Sequence, residues 1–186
     1  MHRVQLHYTL SRDAGNALIR NPLPELLQAV AEHGSISGAA RALDAPKGKV
    51  VLSVVGQVGT TNVEGRADFD MAMLEALPQH SFTTSTPWFK EPRRFTGPLL
   101  RDVLAAAGAK GTALRAVALN DYKVEIPVDD AMKYKVVMAT RLDGQPMPLR
   151  EKGPLFIIYP YDESADLRSE RFYSRSAWQL RTLEVR

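Results

Sequence analysis

The stretch Leu114 to Val128, LRAVALNDYKVEIPV, constrains the fold more than any other part of this chain. It predicts a strand, a polar turn at Asn120-Asp121 and a second strand. Ala116 and Ala118, then Tyr122, Val124, Ile126 and Val128, keep the period of two of a half-buried sheet, and Asn and Asp both tolerate the left-handed backbone of a tight turn. A turn between two core strands is a rigid place to hold a carboxylate. Pro87-Trp88, Gly153-Pro154 and the run Tyr173-Ser174-Arg175-Ser176-Ala177-Trp178 put polar and aromatic groups at other predicted strand ends, so these ends are expected to converge on one pocket.

A chain of 186 residues can bury one sizeable core and carry a small appendage. It contains no cysteine, which excludes a disulfide scaffold, a thiolate nucleophile, a zinc-cysteine site and a thiolate ligand for a heavy metal, and leaves the redox compartment open. His2, His7, His33 and His80 are too dispersed for a metal site, so no metal is expected. No apolar run approaches the ~20 residues of a membrane span. The opening MHRVQLHYTLSRDAGN alternates polar and apolar residues where a signal peptide has an unbroken apolar core, so the chain as written is expected to stay in the cytoplasm without inserting into a membrane.

The net charge of +3 is small. In residues 1–44, Arg3, Arg12, Arg20 and Arg41 balance Asp13, Glu25, Glu32 and Asp44, so the excess lies beyond them. There it is scattered over Lys47, Lys49, Arg93, Arg94, Arg168, Arg171, Arg175, Arg181 and Arg186 and interleaved with acids. That pattern reads as a solvated mixed surface and speaks against a nucleic-acid footprint.

Residues 3–10, RVQLHYTL, alternate like a short strand. Pro22 to Gly34 predicts a helix with Asn21 as its N-cap and Gly34 as its stop, and Ser35 can cap a second helix, SISGAARAL. The phrase LLQAVAEHGSISGAARAL resembles the first two helices of the winged helix-turn-helix of molybdate-responsive and LysR-type bacterial regulators, over about residues 1–43. The resemblance implies a recognition helix next, carrying aromatic and basic residues into the major groove. The chain instead reads Asp44-Ala45-Pro46-Lys47-Gly48-Lys49, a linker by its Pro and Gly, so the reading element is missing and DNA is not the expected partner. Two units follow: a partial helix-turn-helix appendage at 1–44 and a larger domain at 45–186.

In the larger domain KVVLSVVGQVG is β-rich, a turn falls at Glu64-Gly65, and Asp68 to Leu77 predicts a short amphipathic helix with Asp68 near its start. His80 to Thr86 is a Thr-rich strand running into Pro87-Trp88-Phe89. Gly97-Pro98 opens the predicted helix PLLRDVLAAAGA. Strands are predicted at 135–141, 155–159 and 178–185, with a turn at Asp143-Gly144. Strands dominate and helices are short, so the fold class is α+β with a mixed, β-rich core.

FTGPLLRDVLAAAGA, LNDYKVEIPVDDA, ATRLDGQPMPLREKGPLFIIYP and SRSAWQLRTLEV resemble, in order, the blocks of the sulfite oxidase-type molybdopterin-binding fold, over residues 49–186. Catalytic members of that fold place a cysteine onto molybdenum from the strand before the tryptophan. Here that stretch is Thr83-Thr84-Ser85-Thr86-Pro87-Trp88, whose neutral hydroxyls substitute poorly for a thiolate. Within that fold the chain resembles small bacterial stand-alone members without catalytic machinery. These include periplasmic proteins that bind a reduced pterin and signal to a membrane-bound cyclic-di-GMP enzyme. The resemblance therefore implies a pterin ligand, tetrahydropterin or molybdopterin-like, a signalling partner and an exported protein. Ala45-Pro46-Lys47 would suit a mature N-terminus, although the segment before it is no export signal.

A pterin has a flat bicyclic ring and a guanidine-like edge that donates two parallel hydrogen bonds, so it asks for an aromatic wall and a carboxylate. Asp121 is the first choice for the edge, with Asn120 on the same turn and Glu125 in reserve; Asp121 could equally close the turn through backbone amides. Trp88 is the first choice for the wall, with Tyr122, Tyr173 and Trp178 behind it, and each could instead be core, Trp178 most of all. Arg175, flanked by Ser174 and Ser176, and Arg141 could meet ligand oxygens or be paired on the surface. Three functions stay open: a non-catalytic pterin receptor, which the missing cysteine favours, a molybdopterin-dependent oxidoreductase, and a DNA-binding regulator.

Overall fold

The structure, a computed structural model, describes residues 43–186. The helix-turn-helix-like segment expected at 1–44 lies outside them except for its last two positions. Buried Leu52 and Val54 alternating with half-buried Ser53 and Val55 make Val50–Gly56 the first strand, β1. A turn at Glu64-Gly65 returns the chain as β2, Arg66–Asp70, antiparallel to β1. On its other edge β1 pairs in parallel with the last strand, β11, Leu180–Val185. β11 then pairs antiparallel with β5, Ala113–Ala118, and β5 with β6, Lys123–Pro127, which completes a mixed sheet of order β2-β1-β11-β5-β6.

A second sheet of order β3-β4-β8-β9 comprises β3, Gln79–Thr86, β4, Phe89–Pro98, β8, Arg141–Leu142, and β9, Gln145–Pro146. A two-stranded pair joins β7, Val137–Ala139, to β10, Phe156–Ile158. The helices are short: α1, Met71–Ala76, α2, Leu100–Ala106, α3, Val128–Lys133, and α4, Glu170–Arg175. The described residues thus form a strand-rich α+β fold with a mixed sheet, as the sequence leads one to expect. Leu52, Val54, Phe69, Phe95, Leu100, Leu114, Met138, Phe156 and Ile158 are buried in one continuous core between these layers. No helix of the described residues is long and apolar enough to cross a membrane.

The predicted hairpin forms with its turn at Asn120-Asp121. Asn120 Oδ1 accepts the Tyr122 amide at 3.1 Å, the Asp121 amide donates to the Ala118 carbonyl at 3.1 Å, and Asp121 takes a left-handed φ of 64°. The Asp143-Gly144 turn between β8 and β9 also uses two positive φ angles, 50° and 81°.

Three local expectations are corrected. The helix predicted over 68–77 begins only at Met71, because Asp68 and Phe69 are held in β2 by their register against Ser53 and Leu52. Gly97-Pro98 does not open a helix but ends β4, a strand the sequence reading passed over because Pro92 and four charged residues interrupt its pattern. Gly97 is needed for packing: a Cβ there would stand 2.0 Å from the Met138 carbonyl oxygen, where β4 crosses β7. The run at 173–178, expected at a strand end, is helical through Arg175, since Ser169 and Glu170 start α4.

Asp70 is the N-cap of α1. Its carboxylate accepts the amides of Met73 at 2.9 Å, Gly48 at 2.7 Å and Lys47 at 2.9 Å, so it ties the incoming segment to the helix. These donors, Met73 first, hold its pKa below the ordinary 3.8 against the opposing effect of burial. A carboxyl group depressed in the folded state contributes stability in full above its unfolded pKa and loses it as pH falls through the folded value. Asp70→Ala is therefore expected to lower the urea midpoint at pH 7, with the gap to the wild type narrowing as pH falls below the ordinary carboxyl value of 3.8. A gap of constant size from pH 7 to pH 2 would contradict this account.

Candidate functional site

The β3–β4 turn, the β5–β6 turn, α4 and the segment leading into β11 meet around a cavity of about 370 Å³. Pro87 and Trp88 come from the first, Asn120 and Tyr122 from the second, Glu170, Tyr173 and Ser174 from α4, and Ser176, Ala177 and Trp178 from the last. Strand ends therefore do gather side chains here, although three of the lining residues arrive on a helix.

Aromatic rings build the wall. Trp88 packs edge-on against Trp178, with centroids 5.4 Å apart and planes at 77°, and against Phe156 at 5.5 Å and Tyr173 at 6.1 Å. Tyr173 in turn lies 4.9 Å from buried Tyr161. T-shaped pairs of this kind each add ~0.5–1.5 kcal/mol beyond their area and fix ring orientation. Both tryptophans remain half-buried, so each is at once a core side chain on one side and a cavity wall on the other. Lys152, whose φ of 73° is left-handed, holds its ammonium 3.8 Å from the Trp178 ring centroid and 5.8 Å from that of Trp88. Burial pushes its pKa down.

Polar contacts fix the helix that carries the other half of the wall. The Tyr122 hydroxyl donates to the Ser174 carbonyl at 2.9 Å, satisfying one of the carbonyls a helix C-terminus leaves open. Ser176 Oγ donates to the Phe172 carbonyl at 3.0 Å and shares a short hydrogen bond with the Tyr161 hydroxyl. Burial raises the Tyr161 pKa, which keeps this hydroxyl protonated. Arg175 Nη1 reaches Asp130 Oδ2 at 2.8 Å, and the buried Tyr159 hydroxyl donates to the same oxygen at 2.8 Å. Burial first, and then the Asp130 charge, raises the Tyr159 pKa, so this hydroxyl too stays a donor.

Six of the nine residues singled out in the sequence line the cavity: Trp88, Asn120, Tyr122, Tyr173, Ser174 and Trp178. The structure places the other three elsewhere. Asp121 points its carboxylate toward Arg181, 3.6 Å away, with its side chain 79% exposed. Arg141 pairs with Glu75 at 2.7 Å beside the second sheet, and Arg175 is committed to Asp130. Reserve residue Glu125 faces Arg115 and Arg186 at 3.4 Å each. Glu170 and Lys152 were not foreseen. Ser169-Glu170, a helix-start signature, could have pointed to the first; the left-handed turn that aims Lys152 at Trp178 carries no local signal.

At the end of β3 the hydroxyls of Thr84 and Thr86 are engaged. Thr84 Oγ accepts the Asp162 amide at 3.1 Å and Thr86 Oγ the Trp88 amide at 3.3 Å, while the Ser85 amide donates to Asp162 Oδ2 at 2.7 Å. This stretch shapes the turn that presents Trp88 and supplies no soft ligand. A family model described as the oxidoreductase molybdopterin binding domain matches residues 52–163. No curated protein matches the chain.

Proposed function

This chain belongs to the oxidoreductase molybdopterin binding domain family, and from that premise we propose that it binds a reduced pterin as a receptor, without redox turnover. The observation that carries the reading is the cavity itself: about 370 Å³, walled by two tryptophans and two tyrosines and rimmed by Asn120, Glu170, Ser174 and Ser176. Flat aromatic walls with a few convergent polar groups suit a planar heterocycle. Trp88 and Trp178 would hold the ring, and the polar rim would orient its edges. The donor set does not suit molybdenum in the way of the family's oxidoreductases, because the sequence has no cysteine and the neutral hydroxyls of β3 substitute poorly for a thiolate. A bound pterin would report to a protein partner such as the sensory domain of a membrane-bound cyclic-di-GMP enzyme, a role supported by the sequence resemblance.

Both tryptophans of the chain line the cavity, so its tryptophan fluorescence reports on this site alone. Anaerobic titration of the full-length protein with tetrahydropterin is expected to give saturable quenching, with no molybdenum in the same sample by metal analysis. The family's other reading, a molybdopterin-dependent oxidoreductase, predicts stoichiometric molybdenum and turnover with an artificial electron donor. Unchanged emission, or molybdenum at one per chain, would overturn the receptor.

A further inference from the structure

We propose that Glu170 is the residue that selects the ligand, by accepting two parallel hydrogen bonds from a donor–donor edge such as the N3–H and 2-amino group of a pterin. The inference rests on the pterin reading above and deepens it. Glu170 is the only carboxylate among the described residues that line the cavity. It takes part in none of the ion pairs of the described residues, whereas Asp121 and Glu125, the acids on the neighbouring hairpin, face arginines outside the cavity.

Its position is held although its own side chain is solvent-exposed. The helix it opens is fastened at its other end by Arg175 to Asp130 and by Tyr122 to the Ser174 carbonyl. On the same helix Tyr173 stands against Trp88 in the aromatic wall. A carboxylate beside an aromatic wall has one chemical preference that a neutral rim lacks. Both its oxygens only accept, so it favours a heterocycle edge with two adjacent N–H donors and rejects one that presents a carbonyl there. The ligand class is accordingly a 2-amino-4-oxo heterocycle, and the matching 2,4-dioxo compound, which places a carbonyl at C2, is disfavoured.

Calorimetric titration of the full-length protein, anaerobically, with tetrahydropterin and with tetrahydrolumazine, which differ at C2, tests this. Wild type is expected to prefer tetrahydropterin by roughly ten-fold or more, the scale of one charge-assisted hydrogen bond. In Glu170→Gln the side chain offers one acceptor and one donor, the pattern complementary to N3–H and the C2 carbonyl, so the preference should fall and tip toward tetrahydrolumazine. A residue that only shaped the cavity would change both affinities together and leave their ratio as it was. An unchanged ratio in Glu170→Gln, or equal affinity for both compounds in the wild type, overturns the inference and leaves pterin binding standing. Failure of both compounds to bind the wild type overturns the inference and the pterin reading together.

Discussion

Trp88→Ala is expected to abolish pterin binding and to lower the free energy of unfolding by about 3 kcal/mol, within the range for loss of a large aromatic side chain. The two effects share a cause. Trp88 is in contact with Phe156, Tyr161, Tyr173 and Trp178, so it is the ring on which the other walls of the cavity are oriented. Its removal opens a void that water can enter from the cavity side, and Trp178 and Tyr173 lose the edge contacts that hold them upright. Trp88→Phe keeps an aromatic edge and is expected to recover most of the stability and part of the binding. Guanidinium unfolding and titration followed by the remaining Trp178 emission measure both. Wild-type affinity in Trp88→Ala would remove the aromatic wall from the account.

The second large effect is expected at a residue that never touches the cavity. Asp130→Ala should cost about 3 kcal/mol, because it leaves the guanidinium of Arg175 and the hydroxyl of Tyr159 without their shared acceptor in a nearly closed site. The side chains of Arg175 and Asp130 are only 19% and 11% exposed, which sets this pair apart from surface pairs such as Arg181 with Asp121. Arg175→Met alone should also destabilise, since it strands the Asp130 carboxylate. The double variant Asp130→Leu, Arg175→Met should cost clearly less than the sum of the two single changes, because no charge is then left buried unpaired. Strict additivity in a denaturant double-mutant cycle would show that the two side chains are not coupled. Since this pair pins α4, the single variants should weaken pterin binding as well.

The strand content and the hairpin were legible because they rest on short-range patterns. Alternation over Ala116 to Ile126, Asn-Asp at a turn and Thr-rich β3 each announce their backbone within a few residues, whereas Val128, read as strand, opens α3. Four blocks resemble the molybdopterin-binding fold, and the family match over 52–163 covers the first three of them. The misread elements fail where long-range pairing decides. Phe69 has the spacing for a helix face, yet its register against Leu52 keeps it in β2. For Arg175, between two serines, a ligand contact and an ion pair are equally open in the sequence, and only the approach of α3 supplies the carboxylate that pairs with it.

The sequence by itself determined most of the strands and the turns at Asn120-Asp121 and Asp143-Gly144, that no thiolate is available, and that tryptophans, tyrosines and hydroxyls stand at predicted strand ends. Tertiary structure alone decided which of these share a cavity. β11, from the far end of the chain, inserts parallel to β1 and antiparallel to β5, and that closure carries Trp178 to Trp88 and α4 to the hairpin turn. It also decided between three carboxylates of similar chemistry, turning Asp121 and Glu125 toward arginines and leaving Glu170 at the cavity. Local pattern sets a residue's backbone and the face it occupies. Its partners depend on contacts across more than a hundred residues of chain, such as Ser53 of β1 beside Thr182 of β11, which no window of sequence contains.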